Sequence, residues 1–200
     1  DLDGVYYTYT VQNSETTINE IVDPYAKSTG VNGLRGMVVN FESEKLNPAN
    51  WESDKSVTVK SNVDYVIYET HVRDLTAHKT WGGEAKYAGT FLGLAQRGTT
   101  YRKSGVTVST GLDHIIEMGV NAVHLLPVMD SLNVDETKLN DEEYKNLDED
   151  GIYNWNYMTA NFFTLDGGYS TNPYDGYTRM NEFKQMVMAF HENGINVIMD

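Results

Sequence analysis

The chain has 200 residues, 40% of them hydrophobic, with 15 basic against 29 acidic residues and a formal charge of −14. A surface field of that sign repels phosphate backbones and anionic headgroups, so neither nucleic acid nor a membrane surface is expected as a partner. The absence of cysteine excludes a disulfide frame, a thiol nucleophile and a thiolate zinc site, and leaves the redox compartment unread.

Taken in chain order, the first segments are β-like. Val5 to Val11 alternates and is rich in Tyr and Thr; Thr17 to Val22 and Gly36 to Phe41 follow as short runs between Gly, Asn and Pro turns. They read as the last strands of a small β domain. Asn47-Pro48-Ala49-Asn50 and the polar stretch to Asn62 form a joint, in which Trp51 is expected to pack, and the boundary falls near residue 60. Beyond it, Tyr65 to Val72 reads as a strand, Leu112 to Met118 as a short helix and Ala122 to Val128 as a second strand, which makes a βαβ unit. Met180 to Asn193 carries Met180, Phe183, Met186, Val187 and Phe190 at the spacing of one helical stripe, and Ile195 to Met199 is a third strand. Gly119 and Gly194 stand where helix C-caps belong. Strands alternating with helices imply a parallel sheet with right-handed crossovers.

The connections are asymmetric. Helix-to-strand turns are a few residues long, whereas the strand-to-helix segments run across Arg73 to Thr110 and Met129 to Arg179. In a (β/α) barrel or a doubly wound sheet, the loops after the strand C-termini build the active site, so this asymmetry favours a catalytic scaffold. No apolar run approaches the roughly 20 residues that span a bilayer, and Asp1-Leu2-Asp3-Gly4 has neither the basic nor the apolar part of a signal peptide. Starting on a strand and ending on Asp200 directly after an apolar run, the chain is expected to be cut at both ends.

Between Tyr153 and Tyr177 lie Tyr153, Trp155, Tyr157, Phe162, Phe163, Tyr169, Tyr174 and Tyr177 among Asn and Asp residues, read as a loop. Such a mixture suits a pyranose, whose C–H faces lie on aromatic rings while its hydroxyls need amide or carboxylate partners; it equally suits a satellite core pinning a long loop. The acidic run from Asp130 to Asp150 is read as a solvated charged loop, because Asp148-Glu149-Asp150-Gly151 lacks the ligand ladder of an EF-hand. The histidines lack metal-binding spacing, and His71 and His124 are expected to be packed and hydrogen-bonded; Gly82-Gly83, Gly89 and Gly93 match no nucleotide fingerprint. Paired carboxylates are the requirement for glycoside hydrolysis. Glu69 and Asp74 flank the end of the first predicted strand, yet each is as readily an ion-pair partner or a turn cap.

Several segments, in order, resemble type I pullulanases of the α-amylase superfamily. Asp23-Pro24-Tyr25-Ala26 and Arg35-Gly36-Met37-Val38-Val39 are similar to the end of the β-sandwich that precedes the barrel in that family. Tyr68-Glu69-Thr70-His71-Val72-Arg73-Asp74-Leu75 resembles its first barrel strand, and Gly89-Thr90-Phe91-Leu92-Gly93-Leu94 the loop that follows. Ser109-Thr110-Gly111-Leu112-Asp113-His114 and His124-Leu125-Leu126-Pro127-Val128 resemble the next helix and strand. Tyr153-Asn154-Trp155-Asn156-Tyr157 is close to the family's YNWGY stretch and is followed by Tyr169-Ser170-Thr171-Asn172-Pro173-Tyr174-Asp175-Gly176. Two departures stand out. Asn156 replaces the family glycine, where a side chain is expected to alter the local backbone. Met158-Thr159 stands where pullulanases usually carry Asp-Pro and where isoamylases and glycogen-debranching enzymes carry Met-Thr or Asn-Thr.

The resemblance implies an α/β fold: residues 1–60 as the C-terminal part of a starch-binding-module-like β-sandwich, and 61–200 as the first part of a catalytic (β/α)8 TIM barrel, truncated after the third strand. It implies α-1,6-glucan debranching by a retaining mechanism, with an α-glucan as partner alongside the remainder of the barrel. Tyr157 would stack on the sugar at the −1 subsite, with Asn154 and Trp155 beside it, and Asp200 would open the superfamily's first conserved region. The catalytic carboxylates would lie beyond residue 200. No metal ligand and no cofactor are assigned; calcium is compatible with the family but has no support in the residues. An isoamylase-like or glycogen-debranching enzyme and a non-catalytic α-glucan-binding protein are the alternatives. A bacterial source is implied, with the compartment open between cell surface, exterior and cytoplasm.

Overall fold

A computed structural model describes residues 2–139, 141 and 155–200. In chain order the strands are β1 (Tyr6–Tyr7), β2 (Tyr9–Gln12), β3 (Thr17–Ile21), β4 (Gly36–Met37), β5 (Ile67–Thr70) and β6 (Thr100–Lys103). They continue with β7 (Val106–Ser109), β8 (Ala122–Leu125), β9 (Met129–Ser131), β10 (Thr159–Leu165) and β11 (Asn196–Met199). The helices are α1 (Asp74–Ala77), α2 (Phe91–Ala95), α3 (Gly111–Glu117) and α4 (Gly176–Glu192). The chain divides into two compact units, Asp1–Asn47 with Val128–Asn181, and Pro48–Pro127 with Glu182–Asp200.

The second unit holds the parallel sheet that the strand–helix alternation implies, in the order β11-β8-β5. Ile67, Tyr68, Glu69 and Thr70 pair in register with Ala122, Val123, His124 and Leu125, which pair in turn with Asn196 to Met199. Its core is apolar: Phe91, Leu94, Leu112, Ile115, Ala122, Val123, Leu125, Met186 and Phe190 are wholly buried. The stripe on α4 points inward as its spacing predicts, and Phe183 meets Phe91 edge-on at 5.3 Å. The helix begins a turn earlier than its stripe, at Gly176, because its first turn is occupied by polar contacts that hydrophobic periodicity does not register. It ends at a Schellman cap: Ile195 N donates to Phe190 O and Gly194 N to His191 O, both at 3.0 Å, with Gly194 at φ 76°. The polar stretch read as a joint is docked within this unit: His191 Nδ1 lies 2.7 Å from Asp54, Asn196 exchanges hydrogen bonds with the Val57 backbone, and Lys184 covers the Trp51 ring at 4.6 Å.

The long strand-to-helix segments are not plain loops. The first contains α1, α2 and the β6/β7 hairpin, whose tight turn at Ser104-Gly105 is made by two positive-φ residues. The second contains an antiparallel pair, β9 with β10. Reading Tyr153 to Tyr177 as a loop is therefore corrected: Phe162 and Phe163 lie on β10. That strand is inverted in pattern, with Asn161 and Thr164 buried while Phe162 and Phe163 are exposed, and register shifts in its pairing with β9 break the period-2 alternation by which a strand is read from sequence. In the first unit the N-terminal β elements form where expected, as β1 paired with β4 and the exposed β2/β3 hairpin. Its apolar cluster is small, Met37, Leu46 and Tyr177 with Tyr6, Val39 and Met180 against it.

Candidate functional site

In the second unit the shared register delivers His71, Leu126 and Asp200 together at the C-terminal end of the parallel sheet. Leu126 N donates to Thr70 O at 3.0 Å and Asp200 N to Leu125 O at 3.2 Å. Asp200 is exposed there. His71 is buried, and its Nδ1 accepts from the backbone N–H groups of Arg73 and Asp74 at 3.2 and 3.3 Å, which assigns the ring proton of the neutral form to Nε2. Asp74 lies 3.5 Å from His71 Nδ1 and Glu69 lies 3.7 Å from His124 Nδ1, so each carboxylate has a histidine neighbour. His71 is packed and hydrogen-bonded as expected, whereas His124 on β8 is half-buried and faces Glu69 at 3.7 Å, beyond hydrogen-bond distance.

In the first unit the aromatic stretch splits by burial. Tyr169 and Tyr177 are core, the latter accepting from Asn40 N at 2.8 Å, whereas Trp155, Tyr157, Phe162 and Tyr174 are exposed. Trp155 and Tyr157, 58% and 59% exposed, flank Asn156, which is wholly buried at φ 65°. Its Nδ2 donates to Met129 O at 2.6 Å, and Leu132 N donates to Met158 O at 3.1 Å. The turn is thus pinned on both sides of Tyr157 while the ring itself faces outward. Asparagine here keeps the left-handed backbone a glycine would take, since its short polar side chain tolerates that region better than other non-glycine residues. Asn154 lies outside the described residues, as do Tyr153 and Asp148-Glu149-Asp150-Gly151.

A second constellation in the same unit was not legible in the sequence. Asp130, Glu136 and Asp166 are 1%, 3% and 1% exposed, and one carboxylate oxygen from each lies within 4.8 Å of the others. Asp130 and Glu136 belong to the acidic run read as a solvated loop, and for these two residues that reading is corrected: backbone donors and a buried cation offset the cost of taking them out of water. Glu136 Oε1 accepts from Gly167 N at 2.7 Å and its Oε2 from Asn32 N at 2.8 Å. Asp166 accepts from Gly168 N at 2.6 Å and Ser131 N at 3.2 Å; Asp130 Oδ2 accepts from Asn161 Nδ2 at 2.6 Å. Arg179, on the first turn of α4 and fully buried, places Nη2 3.4 Å from Glu136 Oε2. Burial, reinforced by the charges of Glu136 and Asp130, pushes the Asp166 carboxyl up to about 8. Burial pushes Asp130 up to about 6 against the opposing pull of Asn161 and Arg179. The backbone is moulded to the group, for a Cβ on Gly33 would strike Asp130 and one on Gly167 would strike Arg179 and Glu136. Separations of 6, 30 and 13 residues between its four members follow no helical or strand period, so the sequence carries no signal for it. These three carboxylates are the group, among the described residues, close enough to share a metal ion.

No family model matches the chain. It is 37% identical over all 200 residues to a pullulanase of Bacillus subtilis, covering 25% of that protein, and 31% identical over 187 residues to isoamylase 3 of Oryza sativa subsp. japonica, covering 90% of this chain and 22% of that one. Among solved structures it is similar to the pullulanase of Paenibacillus barengoltzii in complex with maltohexaose and α-cyclodextrin, with a TM-score of 0.85 and 40% identity over 98% of this chain and 28% of the other. The chain spans about a quarter of the length of these relatives. Carried by full-length sequence and structural likeness together, the conclusion is that this mixed α/β chain belongs to the type I pullulanase family.

Proposed function

We propose that this chain is part of a longer glycoside hydrolase that cleaves α-1,6-glucosidic branch linkages in pullulan, starch or glycogen-derived glucans. Its nucleophile and acid/base would be supplied from beyond residue 200, and the mechanism would be a retaining double displacement, which uses two carboxyl groups about 5 Å apart and no cofactor. The observation that carries this reading is the pinned, outward-facing Tyr157 within Tyr153-Asn154-Trp155-Asn156-Tyr157, in a chain matched along its whole length by pullulanases. An aromatic ring held by its neighbours and open to solvent is the surface a pyranose face stacks on.

In the same proposal, residues 1–60 end a β-sandwich module and 61–200 begin a (β/α)8 barrel, with β5, β8 and β11 as its first three strands and Asp200 at the catalytic, C-terminal end. The partner is an α-glucan together with the rest of the barrel, in a protein of bacterial source. No helix among the described residues is long and apolar enough to cross a membrane. A second debranching reading, isoamylase-like, is favoured by Met158-Thr159 and by the rice isoamylase match.

The test is reducing-sugar release from pullulan by the longer polypeptide, by residues 1–200 alone, and by a Tyr157→Ala variant of the longer form. Maltotriose released by the first, none by the second and a turnover loss of two or more orders of magnitude in the third support the proposal. Preference for glycogen or amylopectin over pullulan would shift it to the isoamylase-like reading. A longer polypeptide that binds branched glucans without cleaving them would replace it with a non-catalytic glucan-binding protein.

A further inference from the structure

The carboxylate group of the first unit has the dimensions of a hard-cation site. Calcium takes oxygen ligands at about 2.3–2.6 Å, so oxygens across one ion are separated by at most about 5 Å, and the three carboxylates offer atoms within 4.8 Å of one another. A further observation points to a cation. Asp130 is 1% exposed, yet its Oδ1 has no hydrogen-bond partner. Against this stands the guanidinium of Arg179, the only formal positive charge bonded into the group among the described residues. It is fixed on several sides: Nη1 donates to Leu165 O at 3.0 Å and Thr29 Oγ1 at 3.2 Å, and Nη2 to Pro173 O at 2.8 Å and Glu136 Oε2 at 3.4 Å. Its charge also acts on Asp130 and Asp166.

We propose that Arg179 is the resident cation of this three-carboxylate cage, and that the cage takes a divalent ion of the calcium class only when the guanidinium is removed. The physical reasons are occupancy and charge. A guanidinium held by the part-buried backbone carbonyls of 165 and 173 cannot swing out without leaving those carbonyls unpaired, and a dication beside it would meet like-charge repulsion in a medium of low dielectric. The arginine ties the acidic segment to the start of α4 through a covalently attached charge, so the tie does not depend on ambient metal.

The experiment compares the native sequence, Arg179→Gln and Arg179→Lys in the longer polypeptide, each with and without Asp166→Asn. Thermal unfolding is followed in EDTA and in millimolar calcium, with terbium luminescence as a direct readout of binding. Differences made by Asp166→Asn isolate this cage from any other calcium site. The expected result is no Asp166-dependent calcium response in the native or Arg179→Lys forms. In Arg179→Gln, the melting temperature falls, calcium raises it by several degrees, and terbium binding is lost on adding Asp166→Asn. An Asp166-dependent calcium shift in the native protein, or none in Arg179→Gln, overturns the proposal. Should Arg179→Gln fail to fold in EDTA, its recovery in calcium-containing medium reads the same prediction: recovery that requires Asp166 supports it, and failure to recover overturns it.

Discussion

The two units bury different chemistry. In the second, the parallel sheet and helix α4 enclose Phe91, Leu94, Leu112, Ile115, Val123, Leu125, Met186 and Phe190, and its stability rests on apolar area removed from water. In the first, a small apolar cluster around Met37, Leu46 and Tyr177 stands beside a buried polar network of Thr29, Asp130, Glu136, Asn161, Asp166 and Arg179. An apolar core degrades gradually when a methylene is lost. A closed charge network fails abruptly when one member goes, because its partners are left buried and unpaired.

The largest expected effect exploits that difference. Glu136→Ala strands Arg179 and the Asn32 and Gly167 N–H groups, and is expected to cost about 3–5 kcal/mol, the range for breaking a buried ion pair. Leu125→Ala in the sheet is expected to cost about 2–5 kcal/mol with partial relaxation of the cavity. Urea unfolding of the longer polypeptide measures both, and a smaller loss for Glu136→Ala than for Leu125→Ala would show that the polar network is not the more fragile region.

Acidity sharpens the contrast next. The folded-state carboxyl of Asp166 lies at about 8, above its ordinary 3.8, so between those values the folded state binds more protons than the unfolded one. Stability therefore falls as pH rises from about 4 to about 8, by an amount on the order of a few kcal/mol. Asp130, raised to about 6, adds in the same direction over the lower part of that window. Asp166→Asn is expected to flatten the slope of unfolding free energy against pH, and an unchanged slope in this variant would assign the pH dependence elsewhere.

A smaller effect is expected at the turn. Asn156→Ala loses the bond to Met129 O and places alanine at φ 65°, costing about 1–3 kcal/mol, whereas Asn156→Gly restores the freer backbone and costs less. The reverse order would mean that the turn relaxes when its anchor goes. Tyr157→Ala, an exposed ring, is expected to leave stability within about 0.5 kcal/mol of the native chain, which lets its loss of turnover be read as a loss of sugar contact.

By itself the sequence determined the elements whose side chains repeat with the backbone. The stripe on α4, the β5, β8 and β11 runs and the glycine caps at 119 and 194 are legible because burial on one helix face imposes a period of 3.6, because short apolar runs bounded by turn residues mark strands of a parallel sheet, and because only certain residues reverse a helix end. The Tyr153 to Tyr157 stretch was legible as a family motif, though not in its geometry. The tertiary structure decided the rest. It made Thr159 to Leu165 a strand with its polar residues inside, anchored Asn156 on Met129, and sank Asp130 and Glu136 out of the acidic run to meet Asp166 and Arg179. Those outcomes depend on donors and charges that lie far apart in the chain, and an ion pair between distant residues leaves no period behind. Whether a given aspartate is solvated or buried is fixed by which N–H groups and which guanidinium the fold brings to it.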